Sequence, residues 1–95
     1  MSNNNSPMNE QYQYTRLTAS GVVKGAPGLL GGFIVASGTP TIQLYDNATT
    51  NSGTIILNTM QTTAATPYPV PVRFLNGCYA VITGTGDVTF FTSNG

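Results

Sequence analysis

The chain has 95 residues, enough for one domain with one modest core, and only six are charged: Glu10, Arg16, Lys24, Asp46, Arg73 and Asp87. That is 6% against about 25% in an average soluble domain, and the net charge is zero. This balance gives no basic patch for phosphates, so nucleic acid is not an expected partner. No apolar run approaches the roughly 20 residues that span a bilayer, so a membrane is not expected either.

Polarity comes instead from 15 Thr, 9 Asn and 6 Ser, with 11 Gly and 6 Pro. A surface so poor in charge resists self-association weakly, which suits a protein that lives docked in an assembly. Histidine is absent. The commonest proton shuttle is therefore missing, Ser-His-Asp and Cys-His arrangements are impossible, and zinc sites of the usual kinds lack ligands.

Residues 1–16 read as a polar, Asn- and Gln-rich arm, and residues 17–95 as a β body. The start, MSNNNSPMNEQYQY, has neither the basic residues nor the apolar stretch of a signal peptide, so none is expected. Residues 1–14 show no hydrophobic period and should be disordered in isolation. Tyr12, Tyr14 and Leu17 are the anchors such an arm would use on a neighbouring subunit.

From Leu17 onward the signals are β. Strands are predicted over residues 20–24, 30–36, 41–45, 54–58, 68–74, 78–83 and 88–92, punctuated by Gly, Pro, Asn or Asp. No segment offers a helical i, i+3, i+4, i+7 face. Short strands with a turn every 8–12 residues predict an all-β domain, a small antiparallel β-sandwich or jelly-roll-like barrel of about seven or eight strands.

Between the third and fourth predicted strands lies DNATTNSG, residues 46–53. A calcium loop takes about six to eight oxygens, usually from several carboxylates, and this stretch has only Asp46. Asn47-Ala48-Thr49 matches the N-glycosylation triplet but lacks a predicted secretory route. Asp46, Asn47 and Gly53 are good turn formers. The stretch is predicted to be a hairpin loop, with Ile42 and Leu44 facing Ile55 and Leu57, and to serve as a contact rather than a site.

In residues 66–74, TPYPVPVRF, Tyr68, Val70, Val72 and Phe74 alternate with Pro67, Pro69, Pro71 and Arg73. The prolines remove N–H donors along one side of the strand while 68, 70 and 72 can still pair along the other. That predicts an edge strand or a strand at a sheet corner, guarded against unwanted strand addition. Arg73 falls on the proline side, as a solvated rim charge.

Cys78, the single cysteine, sits in a buried-strand pattern and reads as a small core residue. Phe33, Phe74 and Phe90 fit inward positions. Tyr45, Tyr79 and Phe91 fall on the opposite faces, where they would form a subunit interface, sit as scattered surface apolars or stack on carbohydrate. Gly84-Thr85-Gly86 precedes a strand rather than a helix, which excludes a phosphate loop and predicts a hairpin turn. Asp46 and Asp87 are the one carboxylate pair that could be asked to catalyse glycoside hydrolysis, yet both fall at turns. No catalytic, cofactor-binding or metal-ligating residue is assigned, and no cofactor is expected.

The succession 20–24 (SGVVK), 31–35 (GGFIV), 44–47 (LYDN), 52–56 (SGTII), 68–72 (YPVPV), 77–82 (GCYAVI) and 86–90 (GDVTF) resembles small all-β virion proteins of tailed bacteriophages. The likeness covers about residues 20–92 and is one of rhythm and turn residues, with no catalytic signature. It implies a non-enzymatic capsid decoration (cement) subunit, commonly trimeric, in a virion assembled in the host cytoplasm. Its partners would be the major capsid protein or other virion subunits. The body would cover a junction between capsomers, with the arm across its neighbours. A tail, collar or fibre-base component is the alternative within virions, and a carbohydrate-binding β-sandwich is the alternative of another class.

Overall fold

The structure is a computed structural model in which residues 12–94 are described. They form eight strands: β1 (Gln13–Leu17), β2 (Gly21–Lys24), β3 (Gly28–Gly38), β4 (Thr41–Asp46), β5 (Thr54–Gln61), β6 (Thr66–Phe74), β7 (Cys78–Thr83) and β8 (Gly86–Ser93). Two four-stranded antiparallel sheets result, sheet A in the order β1-β8-β3-β6 and sheet B in the order β2-β7-β4-β5. Every connection except β4–β5 crosses from one sheet to the other. Each predicted strand is present, and β1 is an additional one at the end of the region read as an arm. Residues 1–11 lie outside the described residues, so the expectations placed on them do too.

The inner faces of the sheets follow the period of two. Tyr68, Val70, Val72 and Phe74 turn inward on β6 while Pro67, Pro69, Pro71 and Arg73 stay exposed. β6 is an edge strand, as its prolines require. Cys78, Ala80 and Ile82 on β7 and Val88 and Phe90 on β8 join Leu30, Phe33, Val35, Ile42, Leu44 and Phe74 in the core. Each large apolar side chain buried there contributes about 1.5–3 kcal/mol. Phe33 is central: its ring stacks on Tyr68 at 5.3 Å and lies 5.4 Å from Phe90. Tyr68 faces Phe33 across β6–β3, and Phe90 faces it across β3–β8. Tyr68 also accepts a hydrogen bond at its hydroxyl from Thr63 N–H, 2.8 Å.

Three local features differ from the sequence expectations. Gly84-Thr85-Gly86 does not close a hairpin. β7 belongs to sheet B and β8 to sheet A, so this turn carries the chain across the core, with Gly86 tight against the Pro40 ring. The β4–β5 hairpin forms, and Leu44 faces Leu57, but Ile42 faces Met60 and Ile55 faces Tyr45. The reason is two irregularities in the pairing, at which β5 carries extra residues, and they leave Ile55 exposed. β3 also shifts phase at Gly31-Gly32: Leu30 and Phe33, three apart, both point inward. Gly32 has φ +139°, and a methyl group there would overlap the Tyr68 carbonyl oxygen. Only glycine fits.

β1 has no apolar alternation strong enough to announce a strand. It is held by its full register against β8, Gln13–Leu17 opposite Val88–Thr92. Leu17 packs against the core from its own strand and is half-buried there. Arg16 makes a bidentate pair with Asp87, donating from Nε to Oδ1 at 2.9 Å and from its terminal nitrogen to Oδ2 at 2.8 Å. These hydrogen bonds, with the guanidinium charge, hold the Asp87 carboxyl below the usual carboxylate range.

Candidate functional site

The chemistry-bearing side chains are already engaged within the fold. Asp46, at the end of β4, accepts hydrogen bonds from the backbone N–H groups of Leu75 (2.8 Å), Asn76 (2.7 Å) and Gly77 (3.4 Å). Partial burial pushes its carboxyl up, but these donors outweigh it and the net shift is downward. Asp46 thus ties the β4–β5 hairpin to the β6–β7 loop. Asp87 lies at the other end of the strands: β4 runs from Thr41, opposite Thr83 beside the β7–β8 turn, to Asp46. Five residues of strand, about 17 Å, separate those ends, so the two aspartates do not form a carboxylate pair.

Asn47 organises the loop that follows. Its side-chain oxygen accepts from the N–H groups of Thr49 and Thr50, both at 2.9 Å, and its amide nitrogen donates to the Ser52 carbonyl at 3.2 Å. This is an Asx turn that caps itself. Cys78 is buried, and desolvation, with a smaller contribution from the nearby Asp46 charge, pushes its thiol up to about 12. Among the described residues no three His, Cys, Asp or Glu side chains lie close enough together to hold a metal ion.

The outer face of sheet A is different in kind. Cross-strand register places Tyr14, Phe91, Gly32 and Pro69 in one row, and Arg16, Thr89, Ile34 and Pro67 in the next. A groove of about 350 Å³ opens over β3 at Gly31-Gly32, walled by Phe91, Ile34, Pro67 and Pro69, with Phe33 and Tyr68 also in its lining. At its end the Tyr12 ring lies flat against Gly31, where a methyl group would stand 2.9 Å from its Cε1. Tyr14 projects from the same face, 73% exposed, and Ile34 is 38% exposed. Among the described residues, the formal charges on this face are Arg16, paired with Asp87, and Arg73 at the rim.

Sheet B carries a flatter row. Val22, Tyr79, Tyr45 and Ile55 stand opposite one another in sequence across β2, β7, β4 and β5. Tyr45 donates its hydroxyl hydrogen to Gln43 at 3.3 Å, and both rings are half-buried by their neighbours. Tyr45, Tyr79 and Phe91 therefore do occupy outer faces, with Phe91 on one sheet and the two tyrosines on the other.

Comparison with known protein families, characterised proteins and solved structures returns no match. The feature that stands apart from folding is the grooved face of sheet A, apolar over Gly31-Gly32. Tyr12 and Tyr14 are visible in the sequence as candidate anchors. Gly31-Gly32, Ile34 and the outward prolines are not, although a glycine pair inside a strand pattern does signal a close approach.

Proposed function

We propose that this protein is a non-enzymatic structural subunit of a virion, a capsid decoration protein of a tailed bacteriophage, docked through the outer face of sheet A. The observation that carries the reading is that face: contiguous, apolar, grooved and free of unpaired charge at its centre. Apolar patches of this kind mark contact surfaces. The strand orders β1-β8-β3-β6 and β2-β7-β4-β5, with their crossing connections, are those of an eight-stranded jelly roll. That architecture is common in viral capsid proteins, which supports the reading by analogy of fold. It also occurs in lectins, but the groove is walled by carbon: Phe91, Ile34, Pro67 and Pro69 offer few partners for sugar hydroxyls. An apolar side chain from a protein suits it better.

Copy number in purified particles tests the proposal. A decoration subunit is present at a stoichiometry near that of the major capsid protein. A few dozen copies or fewer would assign the chain to a tail, collar or fibre base, and absence from particles would refute the virion role. A glycan array probed with the purified chain is expected to be silent; specific binding there would favour the lectin reading.

A further inference from the structure

We infer that the outer face of sheet A pairs with the same face of a second copy, each Tyr14 filling the other molecule's Gly32 groove. The inference rests on that face being a contact surface, though not on the virion role; it describes the free chain, whose self-pairing competes with docking on another subunit through the same face. The groove already shows what it takes: the chain's own Tyr12 ring lies on Gly31 at one end. The adjoining space over Gly32 is ring-sized and lined by Phe91, Ile34, Pro67 and Pro69. Tyr14 is an exposed ring on the same face with little to pack on. It cannot fill its own groove, because β1 and β3 are two strand spacings apart, about 10 Å, with Phe91 on β8 between them.

A second copy supplies the missing ring without adjustment of register. Tyr14 and Gly32 both stand opposite Phe91, so they lie at the same height on either side of β8. A two-fold axis in the contact plane, running along β8, therefore carries Tyr14 of one copy onto Gly32 of the other, and the reverse. Phe91 meets Phe91 at the axis, and Pro69 flanks the inserted ring. The strands of the two sheets run within the aligned range seen when sheets pack about 10 Å apart. The same axis sets Arg16, already paired with Asp87, over Ile34 of the other copy and leaves Arg73 at the rim, and the net charge of zero adds no repulsion. Tyr12, Tyr14, Ile34, Phe91 and the three prolines of β6 together expose on the order of 500 Å². Two such faces bury roughly 1,000 Å², the range of weak, reversible dimers rather than obligate ones. An isologous contact closes at two copies, in place of the trimer that the family resemblance implies.

Sedimentation velocity on the full-length chain, from about 1 µM to 1 mM, tests this. The expected result is a monomer–dimer equilibrium with a dissociation constant in the micromolar range. Tyr14→Ser should weaken it at least ten-fold, as should Pro69→Glu, which sets a charge against the inserted ring. Ile55→Ser, on sheet B, should leave it unchanged. All three positions are exposed, and an unchanged melting temperature checks that each variant is folded. A monomer throughout the range, a closed trimer, or a dimer that Tyr14→Ser does not weaken would overturn the inference. Because the assay uses the isolated chain, its failure is distinct from absence of the protein from particles.

Discussion

Asp46→Ala should release the β6–β7 loop from the β4–β5 hairpin. The carboxylate accepts two short hydrogen bonds, from Leu75 and Asn76, and one long one from Gly77. A net hydrogen bond contributes about 0.5–1.5 kcal/mol, and about 1.5–3 kcal/mol where one partner is charged. The N–H groups of Leu75 and Asn76, freed on an exposed loop, reach water, which cuts these values, so the expected loss is about 1–2 kcal/mol. That resembles removal of a helix N-cap and corresponds to a fall in melting temperature of roughly 5–15 °C for a domain of this size. The effect must also depend on pH. The Asp46 carboxyl is held below its usual range in the folded state. Its contribution is therefore complete above the ordinary aspartate value, near 4, and fades as pH falls through the lower folded value. The gap between wild type and Asp46→Ala should be full at pH 7 and close towards pH 2. Asp87, also shifted downward by Arg16, titrates in both proteins and cancels in the difference. Calorimetry across pH gives the comparison. A variant as stable as wild type at pH 7, or a gap of constant size down to pH 2, would refute the assigned hydrogen bonds.

Other perturbations have equally definite outcomes. Gly32→Ala places a methyl group on the Tyr68 carbonyl in a left-handed backbone and should cost about 2–3 kcal/mol or more by denaturant titration; an unchanged midpoint would contradict the irregularity described in β3. Phe33→Ala empties the centre of the Tyr68–Phe33–Phe90 stack and should cost about 3–5 kcal/mol, leaving the domain marginal, whereas a loss below about 1 kcal/mol would mean that the ring is not central. Arg16→Gln should lower the melting temperature by less than Asp46→Ala does, and the difference should shrink near 1 M salt, where the screening length is about 3 Å. Cys78 should resist an aromatic disulfide reagent at pH 8 in the native protein and react fully in denaturant, because its thiol is buried and shifted to about 12; rapid native labelling would contradict its placement.

Parts of this fold are legible in the sequence because they follow from rules local to one strand. The alternation of residues 68–74 and the missing N–H groups of Pro67, Pro69 and Pro71 suffice to make β6 an edge. The inward placement of Phe74, Phe90 and Cys78 follows from period-two patterning alone, and that of Phe33 from its alternation with Val35 beyond the break at Gly31-Gly32. Other parts depend on partners far away in the chain. Gln13–Leu17 becomes a strand through β8 and through an ion pair between residues 16 and 87. Gly84-Thr85-Gly86 suits a hairpin or a crossover equally well, and the choice is made by which sheet accepts β8. The extra residues in β5 change which side chains face each other, so Ile55 ends up outside. The row Tyr14–Phe91–Gly32–Pro69 joins four strands that are not neighbours in sequence. A contact surface assembled that way cannot be read from spacing, and it explains why the aromatics could be assigned to outer faces but not to a groove.

The proposed contact surface is the outer face of sheet A. Hydroxyl-radical footprinting of the full-length chain, dispersed at low concentration and then in its assembled state, tests it residue by residue. Labelling of Tyr14, Phe91 and Ile34 should fall on assembly while Ile55 and Val22 on sheet B change little. Protection of the Val22–Tyr79–Tyr45–Ile55 row, with Tyr14 as reactive as in the dispersed chain, would contradict it.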